Sequence, residues 1–172
     1  MAIVYLRYNT LKYEIELLIM LSKSCIYGLR ASILLAQKEQ GDFINIQKIS
    51  SELNVSFYFL TKILQQLTSS GIMESYKGPN GGVKLALDPE KITFRDIVVS
   101  IDGEHLLKEC ILGLPGCGIE KPCPMHDKWT ILRSNLQHLM EDVTLKDLAN
   151  DNNLRLADAI SPFKSIDFND SN

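Results

Sequence analysis

The sequence predicts a mainly α-helical fold with one small β-hairpin, arranged as a winged helix-turn-helix followed by a long dimerisation helix. Three observations carry this reading. Two segments of helical apolar spacing, 46–53 and 56–70, stand either side of a tight turn. A glycine-rich stretch, Lys77-Gly78-Pro79-Asn80-Gly81-Gly82, then joins two short strand-like runs. Further on, a helix over 127–142 carries a continuous apolar stripe.

Taken in order, Ile26, Leu29, Ile33, Leu34 and Ala36 recur at helical spacing, with Ser22 or Ser24 available as the N-cap and Gly41-Asp42 as the stop. A short second helix places Ile46, Ile49 and Leu53 on one face. Asn54-Val55 turns the chain, and Ser56 can cap a third helix with Leu60, Ile63, Leu64 and Leu67 inward. Gly71 suits the left-handed position that ends helices. Residues 72–76 and 83–87 form the wing. Thr93 and Asp96 make a capping box for a helix through Ile101, which Asp102-Gly103 ends. Thr144 and Asp147 cap a last short helix. The chain therefore divides into an N-terminal extension (1–19), a winged helix-turn-helix (20–103), a cysteine-rich loop (104–126), a dimerisation and a short helix (127–150), and a polar tail (151–172).

Composition bounds the function. The 172 residues are 45% hydrophobic and 23% charged, with a net charge of −3. That charge is uneven: residues 22–84 carry +3 and residues 85–172 carry −6. The basic third can meet phosphate while the acidic remainder is held away. No stretch reaches 18 apolar residues, so no membrane span is expected, and the extension lacks the cleavage site of a signal peptide. Met1 and Met20 can each serve as the start. No nucleophile–base pattern or nucleotide loop opening a helix is present, so neither enzymatic activity nor a small-molecule substrate is expected.

The expected partner is double-stranded DNA. The third helix would enter the major groove, presenting Ser56, Phe57, Tyr58, Thr61, Lys62 and Gln65. Glutamine can pair with adenine, threonine can meet either base type, and lysine can reach guanine or phosphate. In the wing, Lys77 and Lys84 would meet phosphate, and Gly78, Pro79, Asn80, Gly81 and Gly82 would let backbone approach the sugar–phosphate rim. The stripe of Trp129, Leu132, Leu136, Leu139, Met140 and Val143 would pair two copies, giving a homodimer on a two-fold site.

Four metal-ligand side chains fall within 17 residues, as Cys110-x6-Cys117-x5-Cys123-x2-His126. Between them, Gly113, Pro115, Gly116, Gly118, Pro122 and Pro124 exclude a regular helix, so the segment reads as a loop wrapping a ligand. An iron–sulfur cluster takes thiolates and, in some centres, imidazole. Zinc would accept the same set, although zinc sites more often show two close pairs. Cys25 sits on the apolar side of the first helix as a buried thiol.

The helix-turn-helix, wing and cysteine loop occur here in an order that resembles the Rrf-type bacterial winged-helix regulators, which include IscR-, NsrR- and CymR-like members. The resemblance covers about residues 20–150. It is carried by Ser24-Cys25-Ile26-Tyr27-Gly28-Leu29-Arg30, by Val55-Ser56-Phe57-Tyr58-Phe59-Leu60, by the wing turn, by Trp129 and by Val143-Thr144-Leu145-Lys146-Asp147-Leu148. It implies a cytoplasmic bacterial transcriptional regulator, a homodimer that binds a two-fold operator and senses through a [2Fe–2S] cluster. IscR-like members ligate with three cysteines and a histidine, matching Cys110, Cys117, Cys123 and His126. NsrR-like members take an aspartate from the partner's first helix, and the matching position here is close to Ile26, which cannot ligate. Two features depart from the IscR-like pattern: the first inter-cysteine gap is one residue longer, and Thr61-Lys62 replaces Glu-Gln in the third helix.

Overall fold

The computed structural model describes residues 20–38, 41–78 and 81–150. The N-terminal extension, the tail, and Pro79 and Asn80 of the wing lie outside the described residues. Helix α1 (Lys23–Ala36) starts where the Ser22 hydroxyl accepts from the Cys25 N–H. Its inner face buries Cys25, Leu29, Ile33 and Leu35. Helix α2 (Ile46–Glu52) is capped by Asn45, whose side chain accepts from the Gln47 N–H at 2.7 Å. Asn54, at φ 49°, makes the left-handed turn between α2 and α3 (Phe57–Ser69). Ser56 occupies the N-cap position of α3 but makes no side-chain cap bond, contrary to its expected capping role. The start of α3 therefore leaves N–H groups without that partner.

Leu60, Ile63, Leu64 and Leu67 of α3 are each at most 2% exposed and pack against α1, α2 and α4, so the outer face of α3 is held rigidly by a dry inner one. Gly71 adopts φ +79° and turns the chain into strand β1 (Met73–Tyr76), which pairs antiparallel with β2 (Gly82–Leu85). Met73 faces Leu85, and Tyr76 faces Gly82. Ile44 adds a bridge to Val83, tying the root of the wing to the entry of α2.

A 3₁₀ turn (Pro89–Lys91) leads to α4 (Phe94–Asp102), which opens on the complete Thr93/Asp96 capping box and ends at Gly103, φ +75°. A single helical turn, α5 (His105–Lys108), interrupts the segment expected to be wholly loop. The cysteine segment then runs to α6 (His126–Asp142), and α7 (Leu145–Asn150) closes the described chain. Thr144 and Asp147 bond reciprocally at the start of α7. Backbone bonds from Phe94 N–H to Val143 and from Leu145 N–H to Ile92 stitch this end onto the winged domain. Met140 and Leu145, both fully buried, complete the core. Among the described residues no helix is long and apolar enough to cross a membrane.

The stripe on α6 does not serve one purpose. Trp129 and Met140 are buried within their own subunit, and Leu136 packs half-buried on the core that holds Met140, while Leu132 and Leu139 are about half exposed and Ile131 is 65% exposed. Trp129 and Met140, expected at an interface between copies, already pack inside their own subunit. Neighbouring positions on a helix are turned by about 100°, so Leu139 is exposed where Met140 is buried.

Candidate functional site

Two surfaces carry chemistry. The first is the outer face of α3 with the wing. Tyr58 is 80% exposed at the N-terminal turn of α3 and stacks edge-on against Phe57, with ring centroids 5.7 Å apart. Lys62 and Gln65 are exposed on the same helix. Thr61 is half-buried, and its hydroxyl already donates to the Phe57 carbonyl at 2.7 Å, so it reaches outward with its methyl group more readily than with a hydrogen bond. A groove lined by Phe57, Thr61, Gln65, Tyr76, Lys77 and Gly81 runs between α3 and the wing.

The wing residues divide as well. Lys77 and Gly78 are exposed. Lys84 has partners within the wing: its ammonium lies 3.2 Å from the Glu74 carboxylate opposite it in the hairpin and 5.0 Å from the Phe43 ring centroid. Gly82 is buried, and a Cβ there would collide with the Ile44 carbonyl. A Cβ on Gly81 would stand 2.5 Å from the Tyr76 carbonyl. These two glycines serve close approach of backbone to backbone.

The second surface is the cysteine segment. The sulfur atoms of Cys110, Cys117 and Cys123 all lie within 4.8 Å of one another. Within that group Cys110 Sγ is 3.6 Å from Cys123 Sγ, and Cys117 Sγ is 3.4 Å from His126 Nδ1. His126 thus adjoins one edge of the thiol group from the first turn of α6. Gly113 and Gly116, at φ +63° and +69°, make the reversals that fold the segment back on itself. Backbone N–H groups of Leu114 and Leu112 directed at Cys110 hold its thiol down to about 7. Cys117 is held above the usual thiol range: the Cys123 N–H opposes this, but burial and the neighbouring Cys110 and Cys123 thiols outweigh it. The donor set, soft and close-packed, fits a thiophilic metal centre.

Apolar side chains surround the thiols without being covered. Ile111, Leu112, Leu114 and Met125 are each about 40–50% exposed, and Ile119 is 95% exposed. No hydrophobic core orders this segment; the ends are held instead by polar bonds that the sequence reading missed. The Trp129 indole N–H donates to the Glu109 carbonyl at 2.8 Å. Arg133 Nη1 donates to the Lys108 carbonyl at 2.9 Å and to that of Glu109 at 3.3 Å. Arg95 of α4 reaches Glu104 at 2.8 Å and stands 3.4 Å from Glu141 of α6, the latter an ion pair without hydrogen-bond geometry at Nε. Lys108 pairs with Glu104 and, with Arg95, holds its carboxyl below the usual range. The only signal in the sequence was the i, i+3, i+7 spacing of His126, Trp129 and Arg133, which sets all three on one helix face.

Cys25 stands apart from this group. It is fully buried, and its thiol is pushed up to about 12 by burial and then by the Asp102 carboxylate. Asp102 also accepts from the backbone N–H of Ser22 at 2.8 Å and from its hydroxyl, tying the end of α4 to the start of α1.

The family described as Rrf2, iron-dependent transcriptional regulator, matches residues 21–151. The regulator NsrR of Bacillus subtilis is 30% identical over 125 residues, covering 71% of this chain and 84% of the relative. IscR of Aliivibrio salmonicida is 26% identical over 129 residues, covering 75% and 76%. The solved structure of CymR, the global cysteine regulator of B. subtilis, superposes with a TM-score of 0.64 at 26% identity, over 75% of this chain and 95% of that one. A winged helix-turn-helix, a thiol group on the segment after it and a match across three quarters of its length place this chain in the Rrf2 family of transcriptional regulators, not among enzymes.

Proposed function

We propose that this regulator binds a two-fold DNA operator as a cytoplasmic homodimer, and that a [2Fe–2S] cluster held by Cys110, Cys117, Cys123 and His126 modulates that binding. The observation that carries the cluster reading is the pairing within the site: Cys110 with Cys123 at 3.6 Å, and Cys117 with His126 at 3.4 Å. Two pairs of donors suit a centre of two irons, each taking two protein ligands, with imidazole replacing thiolate on one of them. Ile26, half-buried on the core, offers no ligand from α1, which favours histidine as the fourth. When bound, the cluster supplies a redox-active and chemically labile centre, and one imidazole ligand makes it sensitive to protonation.

The remaining steps belong to the chain's own residues. Tyr58, Lys62 and Gln65 enter the major groove, and Lys77 and the exposed Gly78 meet the backbone beside it. The outward part of the α6 stripe, Leu132 and Leu139 with Ile131, pairs the two copies. α6 carries His126 at one end and the buried Met140 at the other, so a shift at the thiol group is felt by the body that holds α3.

Zinc remains a second reading because one observation favours it. All three sulfurs already stand close together, and a tetrahedral ion with Zn–S of about 2.3 Å needs sulfurs about 3.8 Å apart. In that case the centre would be structural. The test is operator affinity of the anaerobic protein against Cys110→Ala, Cys117→Ala and Cys123→Ala. Each variant is expected to lose the cluster and to change affinity on the operator. Unchanged affinity in cluster-free variants contradicts modulation while leaving DNA binding in place.

A further inference from the structure

We infer that Trp129 and Arg133 are positioning residues for the thiol centre: together they latch the Lys108 and Glu109 carbonyls to α6 and so set Cys110 against Cys123. The inference deepens the proposed metal-centre reading and rests on it for its purpose, but the latch itself is a property of the chain. Cys110 directly follows Glu109, whose carbonyl receives both the Trp129 indole N–H (2.8 Å) and Arg133 Nη1 (3.3 Å). Arg133 also holds the preceding carbonyl, at 2.9 Å. Two consecutive peptide planes are therefore fixed immediately before the first thiol.

His126 and both latch residues lie on one face of α6, at i, i+3 and i+7. The same rigid helix thus presents a donor to Cys117 and holds the peptide that leads into Cys110. Trp129 is only 6% exposed, so its N–H has no water to turn to if the carbonyl moves. The arrangement matters because the segment between Cys110 and Cys123 has little else to order it: its large apolar side chains are about half exposed or more, and Gly113, Gly116 and Gly118 would meet nothing within 4 Å if given a Cβ. Without the latch, Cys110 would sample positions away from Cys123. Partners that orient ligands in this way commonly govern metal affinity by 10–100-fold (order of magnitude).

The test uses Trp129→Phe, which keeps an aromatic ring and deletes only the donor, and Arg133→Gln. Leu136→Ala, on the same face but packed on the winged core, serves as the control for a loosened helix. The probe is Co2+ added to the anaerobic metal-free protein, read by thiolate-to-cobalt charge-transfer absorption. In parallel, diamide oxidises the metal-free protein, and the rate of Cys110–Cys123 disulfide formation is followed by mass spectrometry. Both latch variants are expected to bind Co2+ at least about tenfold more weakly, and to form that disulfide severalfold more slowly. Leu136→Ala is expected to change neither. Equal affinity and equal oxidation rate in Trp129→Phe and the parent protein overturn the latch, as does an equal loss in Leu136→Ala. If the parent protein takes up no Co2+ yet its disulfide rate still depends on Trp129, the latch stands and the metal-centre reading fails.

Discussion

At the scale of single residues, Gly82 and Cys25 show how differently a buried position can be constrained. Gly82 has no room for a methyl group, because the Ile44 carbonyl occupies that space. Gly82→Ala is expected to cost about 1–3 kcal/mol, as overpacking against unyielding backbone does, read as a lower urea midpoint with an unchanged slope. An unchanged midpoint would mean that the Ile44–Val83 bridge is dispensable. Cys25 is constrained by solvation. Its folded thiol titrates at about 12, well above the 9.0 of a free one. Above pH 9 the unfolded chain loses this proton while the folded chain keeps it, so stability falls as pH rises from about 9 toward about 12. Cys25→Ala is expected to flatten that fall in alkaline unfolding titrations, and an unaltered slope would assign it to other groups.

At the scale of elements, the helix-turn-helix was legible because its signals are local. Apolar spacing gave α1, α2 and α3, Gly71 gave the stop of α3, and Thr93 with Asp96 and Gly103 gave the start and end of α4, all without reference to the rest of the chain. What escaped depends on tertiary neighbours. The period of α6 shows an apolar helix but not that its own subunit buries Trp129 and Met140. The Glu74 carboxylate beside Lys84 follows from the hairpin register, which the sequence does not show. This yields a graded prediction for the wing. Lys77→Ala should weaken operator and random DNA alike and reduce the salt slope by about one unit, whereas Lys84→Ala should change the slope less. Equal slopes for the two variants would contradict the Lys84–Glu74 pair in solution. On α3, Tyr58→Ala and Lys62→Ala should each cost about 1–3 kcal/mol on operator DNA and less on random sequence. Equal losses on both would remove them from base reading.

At the scale of the whole molecule, the charge division and the exposed half of α6 describe a protein with a basic reading head and an unfinished apolar face. Leu132→Asp together with Leu139→Asp is expected to halve the solution mass measured by light scattering and to reduce operator affinity. A variant that keeps the parent mass would contradict pairing of two copies through this face. The thiol run was legible as a candidate metal site from its residue types alone, while the pairing of Cys110 with Cys123 and Cys117 with His126 needed the folded segment and the carbonyls held by α6. The central claim is that this centre is an iron–sulfur cluster, and the most direct measurement is the visible spectrum of anaerobically purified protein with iron, acid-labile sulfide and zinc counted per chain. The account predicts a red-brown protein with about two irons and about two sulfides. A colourless protein with about one zinc and no sulfide would contradict it.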